Sequence, residues 1–580
     1  MSGLAGSFFV PTVADAFLNT ERAGALLAGP SHHVTSYVDP DVALVVAGRF
    51  PDATPSGSYG EIVETDRYVL AVEGYLLNVQ ELRLLLESFA REGDRILSTL
   101  QGAYTLVIWN KAEKSATVNT CRFGQRHLYS RSTGGGLTIA SDLRALKGFS
   151  GATFELDPDT AWMSFLYGGV YGTATPISHV TKVLPGSTLT IRRGAVTEVP
   201  ARDLHEAGDS KRGDMRHCLD RLDAAMRGAV RRLGQLADAH TVMIGSGVDS
   251  SLVAAYARRE IRDLMAVTQQ MPGSLDESRQ AGRIANALGI PHHVVPYRLD
   301  ERHLLADVAC FVRIAEEPAS WNQLGPPLLS LLQSLPQRPQ AFLTGAEGDF
   351  LFNYRTRPIS VARVIRHGLF RPVATYVARR LVNRVTRHTY IVGSDFDLLD
   401  RPLMWRHMAA CPDTAQAEFY VHAYDHLPPG PNAQRHFLNN GWQNVRIISQ
   451  FGREIGSEVL FPYMDDAVVS AVLSLPDEMK VNKVLLRLLL RRFLPRSVVP
   501  MKKTGYWAHT VRWHYESGAL QDVLDLLTQQ KTVERGLYDR AALGALVHTY
   551  AAKVAKPRHH PVLWQLLVFE MFCREFVDAH

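Results

Sequence analysis

Residues 241 to 257, TVMIGSGVDSSLVAAYA, constrain the fold more than any other stretch. An apolar run of strand type enters a tight turn of small residues and continues with helical spacing. Such a loop, leaving the C-terminal end of a buried strand and starting a helix, points several backbone N–H groups at one spot, with the helix dipole behind them. It suits an anion. Gly245 and Gly247 permit close backbone approach, while Ser246, Ser250 and Ser251 offer short hydroxyl donors. Asp249 cannot itself bind an anion, but beside a phosphate it makes sense as a ligand for Mg²⁺, a hard cation that takes carboxylate and phosphate oxygens together. No GK[ST] follows, so this is not a Walker loop. Taken alone, the stretch also reads as an ordinary tight strand-to-helix turn.

The surrounding chain decides between these. From about residue 213 onward, short buried strands (LMAVTQQM, HHVVPY, QAFLTG) alternate with helical stretches (AAMRGAVRRLGQLA, ESRQAGRIANALG). That alternation predicts a parallel sheet with helices on both faces. Residues 1 to about 200 differ, with short β-type runs (VALVVAG, RYVLAVEGYLLN, AYTLVIWN, STLTIRRG) separated by turn residues. A polar, Gly-containing stretch at 202 to 214 reads as the linker, giving domains 1–205 and 206–580. A length of 580 residues is too great for one core at about 150 residues per domain.

Five Cys without any CxxC pair indicate neither a disulfide framework nor a zinc cage, so a reducing, cytoplasmic setting is expected. The N-terminal segment lacks a basic n-region, and no apolar run approaches the ~20 residues of a membrane span. A net charge of +5 is small for this length and does not call for nucleic acid. Its distribution is uneven: between Tyr354 and Tyr390 there are nine Arg and no Asp or Glu. This Arg-rich segment, 355–388, reads either as a solvated face or as a docking surface for something acidic.

The GSGVDSS turn resembles the SGGxDS loop of ATP pyrophosphatases, with Ser and Gly exchanged at Gly245 and Ser246, and the wider chain is similar to the asparagine synthetase family. The motifs occur in order: EGYLLNVQEL resembles NGEIYNYxEL, FGQRHLYSRSTGGGLTIASDLRAL resembles FGxKPLYYxxxxxxLxFASExKAL, and LPGSTLTI resembles LPPGxxLxI. LTGAEGDFLF resembles LSGEGADELF, EVLFPYMDDAVV resembles EVRxPFLDxxLV, and MKKTGY resembles RxKxGF. The resemblance implies an α/β chain: an N-terminal Ntn-hydrolase-like (glutaminase-like) αββα sandwich, then a Rossmann-like parallel-sheet ATP-pyrophosphatase synthetase domain. It also implies ATP and Mg²⁺ as cofactors. Gly245, Ser246, Gly247, Asp249, Ser250, Ser251, Thr344 and Gly345 would form the nucleotide site, with Asp249 and Asp349 holding the metal. Lys503 matches the Lys that neutralises pyrophosphate and the developing oxyanion. Glu458 and Glu347 are the further candidate catalytic carboxylates, with Glu317 as another carboxylate near the expected site.

In that family an N-terminal glutaminase releases ammonia, which attacks a carboxylate adenylated in the C-terminal half. This chain departs from the pattern. Ser2 stands where the nucleophilic Cys would be, Glu73 and Tyr75 replace the Asn and Glu of the glutamine pocket, and Ala346 replaces the first Glu of GEGADE. Leu460 stands where EVR has its Arg. The glutaminase is therefore expected to be inactive and the nitrogen to be an amine already on the substrate. An α-amine, with a pKa of about 7.7 to 8.0, is partly neutral near pH 7 and needs no strong base.

Among relatives lacking the Cys, β-lactam and carbapenam synthetases use a Tyr at the Ala346 position, whereas lasso peptide macrocyclases resemble this chain better. The implied reaction is adenylation of an Asp or Glu side chain of a precursor peptide and closure onto its N-terminal amine. The partners that the resemblance implies are that peptide, a leader peptidase and a leader-recognition protein, with no nucleic acid and no membrane. Tyr354, Trp442, Tyr506 and Trp507 would suit a peptide guest. A small-molecule amide or lactam ligase, a Cys-less asparagine synthetase and a non-catalytic nucleotide-binding scaffold stand as alternatives.

Overall fold

A computed structural model describes residues 3–9, 13–28, 32–49, 58–133, 136–151, 153–170, 172–200, 214–271, 276–297, 304–320, 325–335, 338–352, 443–480, 483–498, 520–538, 540–551 and 560–578. Ser2, the Arg-rich segment, the linker as far as residue 213, Tyr354, Trp442, Lys503, Tyr506 and Trp507 lie outside them.

Among the described residues, twelve strands, β1 (Gly3–Phe8), β2 (His32–Val38), β3 (Val42–Arg49), β4 (Ser58–Glu64), β5 (Tyr68–Leu76), β6 (Gly102–Asn110), β7 (Ser115–Thr120), β8 (Tyr129–Thr133), β9 (Gly136–Ala140), β10 (Val180–Lys182), β11 (Thr188–Arg192) and β12 (Ala195–Val199), precede residue 200. They form two antiparallel sheets, β10-β8-β9-β1-β3-β2 and β12-β11-β7-β6-β5-β4. Side chains alternate faces along a strand, so each sheet can bury two surfaces. Leu4, Leu44, Val46 and Ile139 of the first sheet share one core with Val69, Val107, Trp109 and Val118 of the second. On the first sheet's outer face, Ala5 and Val45 pack with Ala23 and Leu27 of α1 (Val13–Leu27). On the second's, Leu70, Val72, Leu106 and Ile108 meet Leu82, Leu85 and Leu86 of α2 (Leu82–Glu92). α3 (Leu143–Ser150) joins α1, its end capped by Asp142, which accepts from the N–H groups of Arg144 and Ala145. The expected αββα sandwich is present.

Beyond α4 (Met215–Leu233) the architecture changes. β13 (Ala239–Met243), β14 (Asp263–Gln270), β15 (His292–Pro296), β16 (Ala341–Leu343) and β17 (Glu458–Leu460) form one parallel sheet in the order β15-β14-β13-β16-β17. Val242 and Leu343 point into a core shared with Leu252 of α5 (Val248–Glu260) and Ile284 of α6 (Ser278–Leu288). Val267 and Phe342 point the other way, to Val308 and Phe311 of α7 (Leu304–Ala315). Both faces are covered, as an apolar parallel sheet requires.

The chain runs outward from β13 to β15 and returns to β16. The order therefore reverses between β13 and β16, and the loops leaving these two strands flank the crevice where α/β sheets bind ligands. The loop after β13 is GSG; the loop after β16 is TGAEGD, which enters the short α8 (Gly348–Phe352).

Candidate active site

The two loops are pressed together. A Cβ on Gly345 would lie 2.5 Å from the Ser250 backbone nitrogen, and one on Gly348 would lie 2.8 Å from Asp249 Oδ1. Only hydrogen at these positions lets the second loop seat against the start of α5. Thr344 is fully buried and donates its N–H to the Leu460 carbonyl at 3.1 Å, while its hydroxyl oxygen accepts from the Ala346 N–H at 3.1 Å. Thr344 and Gly345 thus shape the crevice wall.

In the first loop the Gly245 N–H donates to Ser250 Oγ at 3.2 Å, and the Ser246 N–H donates to Glu277 Oε2 at 2.8 Å. Glu277 was not expected from the sequence; its carboxylate holds a loop N–H of the kind that would bind a phosphate. Ser251 departs from the expectation that it would offer its hydroxyl to an anion. It is fully buried, and its hydroxyl donates to the Gly247 carbonyl at 2.6 Å, one helical turn back. Ser246, Ser250, Gly245 and Gly247 are at the crevice; Ser251 is inside the helix.

Asp249, on the first turn of α5, and Asp349, on α8, converge on a single cation, the Nζ of Lys483. Lys483 precedes α9 (Val484–Leu490) and adopts the left-handed region, with φ 54°. Burial works against its charge, but the two carboxylates outweigh that and hold its pKa above the usual lysine value. The side chains of Asp249 and Lys483 are nearly buried, whereas Asp349 is 40% exposed. Two carboxylates from separate loops sharing one ammonium form a donor set that also fits a hard divalent ion. Sequence reading missed Lys483. Its one local signal is a lysine at the start of the apolar helix in NKVLLRLLL.

Glu347 stands where LSGEGADELF has a Gly, and its φ of 71° is a conformation in which a non-glycine residue is strained by about 1–2 kcal/mol. Its side chain is buried beside Asp349, and Oε1 accepts from Asn444 Nδ2 at 2.5 Å. Burial pushes its carboxyl up to about 8, opposed by the Asn444 hydrogen bond and reinforced by Asp349.

Glu458 is not brought to this crevice. It begins β17 opposite Ala341, whereas the crevice lies beyond Leu343 and Leu460 at the other end of the same strands. Both of its carboxylate oxygens instead accept from one guanidinium nitrogen of Arg126, each at 2.7 Å. Arg126 Nε donates to Glu73 Oε1 at 2.9 Å, and Glu73 is fully buried. An acid in the place of the glutamine-pocket Asn is thus joined through Arg126 to the parallel-sheet half. Burial of the Arg126 guanidinium opposes its charge, and Glu458 and Glu73 restore it. Tyr75 is buried in a core with Leu222, Met226 and Leu233 of α4. Glu317 is likewise an ion-pair partner, within 2.6 Å of Lys182 Nζ and 3.0 Å of the Arg446 guanidinium, all three side chains fully buried.

No helix among the described residues is long and apolar enough to cross a membrane, and Cys121, Cys310 and Cys573 are free thiols.

The family description "Asparagine synthase" matches residues 221–574, and "Glutamine amidotransferase domain" matches residues 52–201. Over 541 residues the chain is 21% identical to asparagine synthetase [glutamine-hydrolyzing] 1 of Bacillus subtilis (strain 168), covering 87% of this chain and 82% of that protein. Among solved structures it is similar at 13% identity and a TM-score of 0.23 to glutamine phosphoribosylpyrophosphate amidotransferase from B. subtilis complexed with ADP and GMP, covering 51% of this chain and 81% of that chain. A structure described as the allosteric regulatory enzyme of purine biosynthesis matches at 13% identity and a TM-score of 0.24, over 51% of this chain and 80% of that chain.

Proposed function

The chain belongs to the asparagine synthase family, and from that premise we propose that it closes a macrolactam ring in a ribosomal precursor peptide, as a lasso peptide cyclase does. Members of this family form amide bonds using ATP, normally with Mg²⁺. The finer reading concerns where the nitrogen comes from. Its main support is the Glu73–Arg126–Glu458 bridge. By the resemblance of EGYLLNVQEL to NGEIYNYxEL, Glu73 stands where the family places its glutamine-pocket Asn, and its burial against Arg126 supports an amine carried by the acyl substrate.

In this reading an Asp or Glu side chain of the peptide attacks the α-phosphorus of ATP. The P–O bond to the β-phosphate breaks and pyrophosphate leaves. The peptide's N-terminal amine then attacks the activated acyl carbon, the C–O bond to AMP breaks, and the amine loses a proton. The loop of Gly245, Ser246, Gly247 and Ser250 would hold the phosphates once the Gly245 and Ser246 N–H groups leave Ser250 Oγ and Glu277. Asp249 and Asp349 would hold Mg²⁺, which when bound neutralises phosphate charge and admits the attacking carboxylate. Glu347, buried next to Asp349, would take the amine's proton in its ionised form, which burial makes the minor form near pH 7. Lys503 neutralises the departing pyrophosphate. Positioning the amine in the closed site supplies much of the acceleration of the second step. The Arg-rich segment 355–388 is assigned to docking the peptide. A leader peptidase and a leader-recognition protein would deliver it, in the cytoplasm.

Mass spectrometry tests this directly. The protein, ATP, Mg²⁺ and a candidate core peptide should yield a product lighter by one water, with one AMP per ring. A new amide made instead from free ammonia or glutamine would overturn the assignment. ATP–pyrophosphate exchange that responds only to a small amino acid would shift it to a small-molecule ligase.

A further inference from the structure

Two backbone positions that disfavour side-chain-bearing residues, Lys483 at φ 54° and Glu347 at φ 71°, flank the same pair of aspartates. Strain of this kind persists where the surrounding structure holds it and clusters at functional sites. At Lys483 the result is specific: the strained turn carries the ammonium between Asp249 Oδ2 and Asp349 Oδ1, which belong to loops leaving different strands. The aspartates are more than 200 residues from Lys483 along the chain in one case, as the Asp249 contact spans 234 positions. Local chain geometry therefore does not account for the meeting.

We propose that Lys483 is the resident counter-cation of the Asp249–Asp349 pair, occupying the place of the divalent ion until metal and nucleotide arrive, and that it then moves onto the phosphates. The inference rests on the nucleotide and metal assignment above. Two carboxylates this close repel each other unless a positive charge lies between them, and a site with no internal cation would bind loose divalent ions without nucleotide. An ammonium in that place raises the cost of binding bare metal. It does not raise the cost of binding metal with triphosphate, because the displaced ammonium gains a new anionic partner in the phosphates. Three features fit this exchange. The Lys483 side chain is nearly buried, so it is not a solvated surface charge; Asp349 is 40% exposed, which leaves a way in for the ion; and lysine's flexible four-carbon stem permits the shift. The arrangement makes metal loading depend on nucleotide.

The test measures binding as well as turnover. Free Mn²⁺ is titrated by electron paramagnetic resonance against the full-length protein without nucleotide, and ATP affinity is measured separately in the presence of Mn²⁺. K483M should bind bare Mn²⁺ at least about tenfold more tightly than wild type, while its affinity for ATP falls by a similar factor. Opposite signs are the signature, since a lysine that only supports the fold would weaken both. K483R keeps the charge and should stay close to wild type in bare Mn²⁺ binding, and it serves as the control if K483M folds poorly. D349N combined with K483M should lose the gain. Equal bare Mn²⁺ affinity in wild type and K483M, or weaker affinity in K483M, overturns the proposal while leaving the ligase reading intact. Absence of Mn²⁺ retention by the wild type even with ATP would overturn the metal assignment itself, and the role of Lys483 with it.

Discussion

Asp249 and Asp349 reach one point from two loops because residues 345 and 348 have no side chain to hold the loops apart. Replacing either aspartate by Ala removes half of a charge pair built to meet a cation, and we expect AMP formation to fall by about 10² to 10³ with the circular dichroism spectrum unchanged. Chromatographic assay of AMP against time checks this; near-normal activity in either variant would dismiss the metal site. Glu347 permits a sharper separation of structure from chemistry. Glu347→Gly relieves a positive-φ strain and removes a buried carboxylate, so its melting temperature should not drop. Ring closure should nonetheless slow, by about 10²-fold if Glu347 takes the proton. A residue serving only the fold would show the reverse pattern, lower stability with the rate preserved.

At the level of elements, β17 has two ends with different duties. Leu460 lies by the crevice, while Glu458 at the start of the strand anchors Arg126 from the other half. Truncating Arg126 to Ala leaves Glu73 buried without that guanidinium, and the loss of one partner from a buried ion pair typically costs about 3–5 kcal/mol. Urea denaturation should show that order of loss, with E73Q milder because its amide can still accept from Arg126. The turn after α7 carries a second buried carboxylate, Glu316. Its Oε1 accepts from the Leu143 N–H at 2.8 Å and its Oε2 from Gln450 at 2.8 Å. Burial and the neighbouring Asp142 raise its pKa to about 8, with Arg446 and Arg144 pulling the other way. His127 lies 3.5 Å from Glu316, but burial and nearby arginines keep that imidazole neutral, so the contact is not a charged pair. A carboxyl whose folded pKa lies above its unfolded value of about 4.5 adds stability that is present at low pH and lost as pH rises toward 8. E316Q should therefore gain on wild type by about 1 kcal/mol or more between pH 5 and 8.5, read from denaturation midpoints at both pH values. A constant difference across that range would mean that Glu316 does not titrate there.

What could be read in advance follows the range of each interaction. The strand–turn–helix at Gly245 to Ser251 is local, and its small residues and alternating strands were enough to place Asp249 beside a crevice. Asp349 was legible only through the resemblance of LTGAEGDFLF to LSGEGADELF, since a carboxylate just after a strand also reads as a helix cap. Ser251 was misread because helical periodicity, one turn back to Gly247, turns its hydroxyl inward. Lys483 and Arg126 were not legible as site and bridge: their partners lie far away in sequence, and only the folded topology brings them together.

The whole molecule follows from those distant contacts. Lys182 of β10 reaches Glu317, Tyr129 of β8 accepts from Arg446 at 3.0 Å, and Arg126 reaches Glu458, so ions and hydrogen bonds of the sandwich end inside the parallel-sheet half. Apolar packing is continuous as well, since one core holds both Phe149 of the sandwich and Ile447 and Phe451 from the helix Gln443–Glu454. A parallel-sheet half made alone would expose Arg446, Glu317 and this apolar surface at once, and an unpaired buried charge is among the costliest defects a fold can carry. We expect residues 206–580 expressed alone to aggregate, and the same residues co-expressed with 1–205 to purify as a soluble complex. That complex should melt in one transition close to that of the intact chain, followed by scanning calorimetry. A stable, monomeric 206–580 fragment with its own sharp transition would show that the sandwich is a removable appendage and that the buried bridges contribute little.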